Sequence, residues 1–137
     1  MTQPRDESGT RPYLMLGLIS LAELLGMAGW FAGGALAHQL AGRWDLSLVE
    51  VAWLTSAVQL GFVVGTLVAA VLNLPDLIPN RWYLSGAAAG AALVNAALLV
   101  VASYPAALLT RFLLGLFLAG VYPPAMKMAA TWFRERR

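Results

Sequence analysis

Cysteine is absent and histidine occurs once, at position 38. Disulfides, thiolate metal sites, cysteine nucleophiles and multi-histidine centres are therefore excluded, and no metal or cofactor is expected. Charge is scarce as well. Only 12% of the 137 residues are Asp, Glu, Lys or Arg, against about a quarter in an average soluble domain. Hydrophobic residues make up 60%, a surplus that so few charges cannot cover in water. That balance argues against a soluble enzyme and a disordered tail. A net charge of only +2 is too small to imply a nucleic-acid partner. No nucleophile is paired with a base, and no loop has the form that cradles phosphate, so catalytic residues are not expected.

Where charge is missing is more telling. None occurs between Val51 and Pro75, or between Trp82 and Thr110. The run from Pro12 to Gln39 is interrupted by a single acid, Glu23. A helix needs roughly 20 apolar residues to cross a bilayer, and these runs are continuous rather than alternating, so helices are expected and strands are not. The reading is an all-α, polytopic membrane protein with four transmembrane helices, over 12–39, 48–72, 81–102 and 105–133. Residues 1–11 form a tail, 12–133 the transmembrane region and 134–137 a basic end. Ala35-Leu36-Ala37 resembles a signal cleavage site, but the run before it is longer than the roughly 7–15 residues of a signal core, so the span is expected to stay.

Local signals mark the ends. Pro12 and Pro105 suit the first turn of a helix. Ser47-Leu48-Val49-Glu50 fits a capping box, Asn80 an N-cap, and 73–80 a turn-rich loop. Lys and Arg set the orientation. With the N-terminus cytoplasmic, that side holds Arg5, Arg11, Arg81, Lys127, Arg134, Arg136 and Arg137, and the other holds Arg43, with Arg111 added if it reaches the surface. Both termini and the loop around Asp76 are expected in the cytoplasm of a cell (inner or plasma) membrane, with lipid as the first partner.

Polar groups inside the spans are the candidate solute or proton pathway, because burying them in lipid is costly. Glu23 lies about 16 Å along the first helix at ~1.5 Å per residue, near mid-membrane. Apolar surroundings disfavour a carboxylate, so Glu23 is a candidate proton or cation site. Thr55, Gln59, Phe62, Thr66 and Asn73 share one face of the second helix, with Gln59 roughly level with Glu23. That stripe reads as a cavity lining or as a packed polar seam. Arg111 lies about 9 Å below the outer surface by the same rise, facing a cavity or snorkelling outward. Asn95 is at similar depth, within reach of a hydrogen bond to Arg111. Tyr122 completes the pathway candidates. Glu23, Gln59 and Arg111 are expected to converge on one space.

Gly29/Gly33, Gly61/Gly65 and Gly86/Gly90 are Gly-x-x-x-Gly pairs that allow close helix packing. Gly115 and Gly120 belong to the same class. Pro123-Pro124 removes two amides from the fourth helix, so a kink is expected there. Beyond it, Lys127, Trp132 and Arg134 read as interfacial anchors.

The stretch Arg111-Phe-Leu-Leu-Gly115-Leu-Phe-Leu-Ala-Gly120-Val-Tyr-Pro123-Pro124, followed by Thr131-Trp132-Phe133-Arg134, resembles the fourth helix of major facilitator superfamily transporters. Trp53-Leu54-Thr55-Ser56-Ala57-Val58-Gln59-Leu60-Gly61 with Gly65-Thr66-Leu67 resembles the second. The loop that follows departs from the family's Gly-x-x-x-Asp-Arg-x-Gly-Arg-Lys. Ala69 stands four residues after Gly65, and the acidic–basic pair comes later, as Asp76 and Arg81. The resemblance implies a secondary transporter of a small solute, with Arg111 beside the path and protons as a coupling ion. It also implies twelve helices in two halves of inverted repeats, so a four-helix chain is expected to be an incomplete N-terminal portion whose partner is the rest of the transporter. Two alternatives remain open. One is a proton-coupled exporter of the small multidrug-resistance kind, which has four helices, a Glu in the first, and acts as a dimer. The other is a membrane scaffold subunit that transports nothing.

Overall fold

The computed structural model describes residues 11–126, and all of its regular structure there is helical. Helix α1 runs Arg11–Trp44, α2 Leu48–Val71, α3 Leu74–Leu77, α4 Asn80–Ala97 and α5 Tyr104–Leu118. Three stretches are long and apolar enough to cross a membrane: Tyr13–Ala37, Leu48–Val71 and Tyr104–Met126. The third expected span does not reach that mark. It forms α4, whose 18 residues are long enough, about 27 Å at ~1.5 Å each, but are made less apolar by Asn80, Arg81 and Asn95. Leu98, Leu99 and Val100 donate to carbonyls only three residues back, Asn95, Ala96 and Ala97. This tightening closes the helix before the expected limit at 102.

The local signals explain the other boundaries. At the start of α2 the Ser47 amide donates to Glu50 Oε2 at 2.8 Å and the Glu50 amide to Ser47 Oγ at 3.4 Å, the reciprocal bonds of a capping box. Helix α1 runs five residues beyond the expected 39. It stops where Asp45 turns left-handed (φ 51°) and the Leu46 amide donates to the Ala41 carbonyl at 3.1 Å, a Schellman closure. Asn73 is also left-handed (φ 50°), so it reverses the chain after α2 rather than extending that helix's polar stripe. The loop after it contains α3, with Pro75 in its first turn. The expected N-cap Asn80 is instead the first residue of α4, and Pro79 stands at the cap. Helix α5 breaks at Leu118, turns through 119–121 and resumes over 122–126, so the expected kink falls just before Pro123. The anchors Lys127, Trp132 and Arg134, and both charged tails, lie outside the described residues.

Helices α2 and α5 make the most extensive contact, α4 lies against α5, and α1 touches α2, α4 and α5 more lightly. Glycine decides the α2–α5 distance. A Cβ on Gly61 would overlap the Phe112 carbonyl, and one on Gly115 would overlap the Val58 carbonyl and stand 2.8 Å from the Phe62 nitrogen. The two glycines thus fit reciprocally into each other's backbones. At Gly65 a Cβ would come within 2.8 Å of both the Leu116 carbonyl and Ala119 Cβ. On the α4 side Gly90 admits the Phe117 ring and Gly120 lies against Ala87. Gly86 faces open space and has no packing partner among the described residues.

Two apolar layers result. The inner one gathers Val58, Ala91, Leu114 and Leu118, with Trp30, Phe62 and Tyr122 packed against it. The other gathers Leu54, Leu98 and Ala107. At its end the Tyr104 hydroxyl donates to the Glu50 carbonyl at 3.0 Å, tying the start of α5 to the start of α2.

Candidate functional site

Arg111 is the one buried charged side chain among the described residues, only 1% exposed. Its place on α5, one turn before Gly115, puts it where α1, α2 and α5 meet. Nε donates to the Leu54 carbonyl of α2 at 3.3 Å. The two terminal nitrogens donate to consecutive α1 carbonyls, Gly29 at 3.1 Å and Trp30 at 2.7 Å. One planar guanidinium thereby holds two neighbouring helices, a geometry its rigid fork of five donors permits and a lysine ammonium does not. Gly33 makes the approach possible: a Cβ there would overlap the guanidinium.

This arrangement corrects two expectations. Arg111 neither snorkels outward nor opens into a cavity. It turns through the gap left by Gly33 onto the backbone. The Asn95–Arg111 hydrogen bond does not form, because the arginine's bonds go to main-chain carbonyls, and Asn95 Oδ1 is buried without a partner.

Glu23 is partly buried on α1 and lies within electrostatic reach of Tyr122. The Tyr122 hydroxyl is buried and unpartnered, 3.8 Å from where a Cβ on Gly26 would stand. Gly26 is three residues after Glu23, on the same side of α1. The Tyr122 ring meets Phe62 edge-on at 6.0 Å, and Phe62 meets Trp30 at 5.6 Å. A packed line of rings therefore runs from Tyr122 through Phe62 to Trp30, whose carbonyl Arg111 holds.

Gln59 does not join them. With Thr55 and Thr66 it is exposed, and Thr66 Oγ1 bonds back to the Phe62 carbonyl at 2.7 Å. The buried face of α2 is set by Leu54, Val58, Gly61 and Gly65, and Gln59 lies about 100° round from Val58. Of the stripe only Phe62 turns inward. Convergence of Gln59 with Glu23 is therefore not found. In the loop-motif candidate, Asp76 sits in α3, and the Arg81 guanidinium lies over the Trp82 ring at 5.7 Å.

A cavity of about 770 Å³ opens between α1 and α4, with α5 as its floor. Gly26 and Gly29 form one wall, Ala92 and Asn95 the other, and Leu114 and Leu118 the base. Asn95 is its one polar lining residue among those described, and neither Glu23 nor Arg111 lines it. Sequence reasoning missed this cavity and the three carbonyl acceptors. The Gly29/Gly33 pair was the available signal for the acceptors, since it exposes backbone at the depth of Arg111.

The family model for the Major Facilitator Superfamily matches residues 10–137. No curated protein and no solved structure gives a match. The matched stretch takes in every helix described above, and it decides against the small multidrug-resistance alternative. The chain belongs to the major facilitator superfamily, a family of multi-pass membrane transporters.

Proposed function

We propose that the chain serves secondary active transport of a small solute, with Glu23 as the proton- or cation-binding group, Tyr122 as its hydrogen-bonding neighbour and Arg111 as the tether that sets their helices. The observation that supports this reading is that Glu23 lies within electrostatic reach of the buried, unpartnered Tyr122 hydroxyl. An acid inside a membrane helix is costly to keep without a use, and an unpaired hydroxyl within its electrostatic reach is a donor that the ionised acid can recruit. Arg111 supports the same reading. Its bonds are engaged on backbone, so it organises the pathway rather than gripping a solute.

The setting we propose is a cell membrane, inner or plasma, with both termini cytoplasmic, as the Lys/Arg asymmetry favours. The chain supplies one wall of the solute path, and further transporter helices supply the rest. The exposed polar stripe of Gln59, Thr55 and Thr66 suits a surface that those helices or the solute would meet.

Dicyclohexylcarbodiimide, which modifies carboxyls embedded in apolar surroundings, tests the assignment on the chain in lipid nanodiscs. The expected result is one adduct at Glu23 that Glu23→Gln removes. Adducts at Glu50 or the tail acids with none at Glu23 would overturn it. In proteoliposomes the chain alone should give no gradient-driven uptake. Uptake that Glu23→Gln abolishes would instead establish a self-sufficient carrier.

A further inference from the structure

We propose that α5 is hinged at its break and that the charge on Glu23 sets the hinge angle: the ionised carboxylate draws the Tyr122 hydroxyl toward α1, and the 122–126 segment swings with it. The proposal rests on the reading of Glu23 as a proton-binding group and adds what the proton would move. Three observations carry it. First, the break has lost helical ties. Pro123 and Pro124 have no amide hydrogen to give the Ala119 and Gly120 carbonyls. The Gly120 and Val121 amides donate three residues back, to the Phe117 and Leu118 carbonyls at 2.9 and 3.0 Å, a tight turn rather than a continued helix. Second, the two sides of the break are held unequally. Before it, α5 is fixed by Gly115 against the Val58 backbone and by Arg111 on three carbonyls. At the break itself Gly120 lies so close to α4 that a Cβ would come within 2.7 Å of Ala87 Cβ, which makes this contact the pivot. Third, the first residue of the resumed segment, Tyr122, has a buried hydroxyl with no partner.

That hydroxyl stands 3.8 Å from where a Cβ on Gly26 would be, so the missing side chain leaves it an approach to α1. Glu23 is three residues earlier on the same side of α1 and within electrostatic reach. Because the hydroxyl is unbonded, the arrangement described is the released one, which suits a neutral Glu23. Loss of the proton leaves a carboxylate in apolar surroundings, where an unpaired charge is costly. A hydroxyl donating to it makes a charge-assisted bond, shorter and stronger than a neutral one. The bond belongs to one protonation state, and only such a difference lets a proton shift a conformational equilibrium. Other charges on the helices packed against α1 are engaged elsewhere. Glu50 of α2 is closed on Ser47, Arg81 of α4 lies over Trp82, and Arg111 of α5 is on main-chain carbonyls. Tyr104 donates to the Glu50 carbonyl, and the Tyr83 hydroxyl is beside Gly120. On α1 itself the nearest titratable residues, Tyr13 and His38, stand ten and fifteen positions away.

The test uses the whole chain in nanodiscs, with spin labels at Leu109 and Met126, exposed positions on either side of the break. Labels at Leu60 and Leu109, which do not cross it, are the control. Pulsed distance distributions are read from acid to alkaline pH. The Leu109–Met126 pair should show two distances whose weights shift with pH, while the control stays constant. Glu23→Gln should hold the acid-side distribution at every pH. Tyr122→Phe keeps the ring against Phe62 and removes the hydroxyl; it should abolish the pH response as well. A hydroxyl that served packing alone would alter the width of the distribution and leave the response in place. Pro123→Ala with Pro124→Ala restores both amides and should remove the second distance while Glu23 still forms its carbodiimide adduct. A pH response that persists in Glu23→Gln or in Tyr122→Phe, or that the control pair shares, would overturn the proposal. A wild-type distribution indifferent to pH, with the adduct formed at Glu23, would overturn the hinge and leave the proton site standing; indifference with no adduct would remove both.

Discussion

Helices α2 and α5 meet backbone to backbone, whereas α1 and α4 stand apart across a cavity. Both pairs are rich in small residues, so composition alone does not separate them. The difference lies in register. Gly61 and Gly115 are opposed, each filling the other's notch against Phe112 and Val58. On α1, Gly29 and Gly33 are used by side chains, Leu114 and Asn95 at the first and Arg111 at the second. Small residues therefore do two jobs here. In one pair they bring helices together, and in the other they leave room for a guanidinium and a cavity.

Three experiments would break or sharpen this contrast. The largest effect is expected at the α2–α5 crossing. Gly115→Leu drives a branched side chain into the Val58 and Phe62 backbone, and overpacking of this kind costs about 3 kcal/mol or more. Loss of folded, monodisperse protein in size-exclusion chromatography checks it. Gly86→Ala is the control. It meets open space and should leave stability equal or higher by about 0.5–1 kcal/mol, since alanine favours a helix interior over glycine.

The Arg111 tether comes second. Arg111→Met removes bonds to three carbonyls on two helices and should cost about 1–3 kcal/mol in reversible unfolding from mixed micelles. Gly33→Val should act through the same contact, by displacing the guanidinium. The double variant should cost little more than either single one, as expected for residues in one interaction. Simple additivity would break the link between them.

The smallest effects belong to local ends. Ser47→Ala removes the capping box of α2 and should cost about 1 kcal/mol. Tyr104→Phe removes one bond to the Glu50 carbonyl and should cost about 0.5–1.5 kcal/mol. The same unfolding assay reads both.

Features set by neighbouring residues were legible in the sequence. The start of α2 follows from Ser47 and Glu50 alone, and the break in α5 from Pro123-Pro124. The depth of Arg111 was legible, but its destination was not, because main-chain carbonyls carry no sequence signal. Only the Gly29/Gly33 pair hinted that backbone would be accessible there. The polar stripe misled for a related reason. Thr55, Gln59 and Thr66 do share a face, but which face of α2 is buried depends on Gly61 and Gly65 meeting α5. Asn73 was counted with that stripe because periodicity does not show a left-handed residue. Glu23 was visible as a mid-helix acid, whereas its nearness to Tyr122, 99 positions later in the chain, depends on the α1–α5 packing.

The central claim is that α1 is held to the α2–α5 pair by Arg111, while α2 and α5 hold each other without it. The chain has no cysteine, so pairs of spin labels can be placed at will on exposed positions. Pulsed electron–electron distances between labels at Phe31 and Leu109 report α1 against α5, and between labels at Leu60 and Leu109 report α2 against α5. In Arg111→Met the first distribution should broaden and the second should keep its width. A first distribution unchanged by the substitution, or a second that broadens as much, would contradict the account.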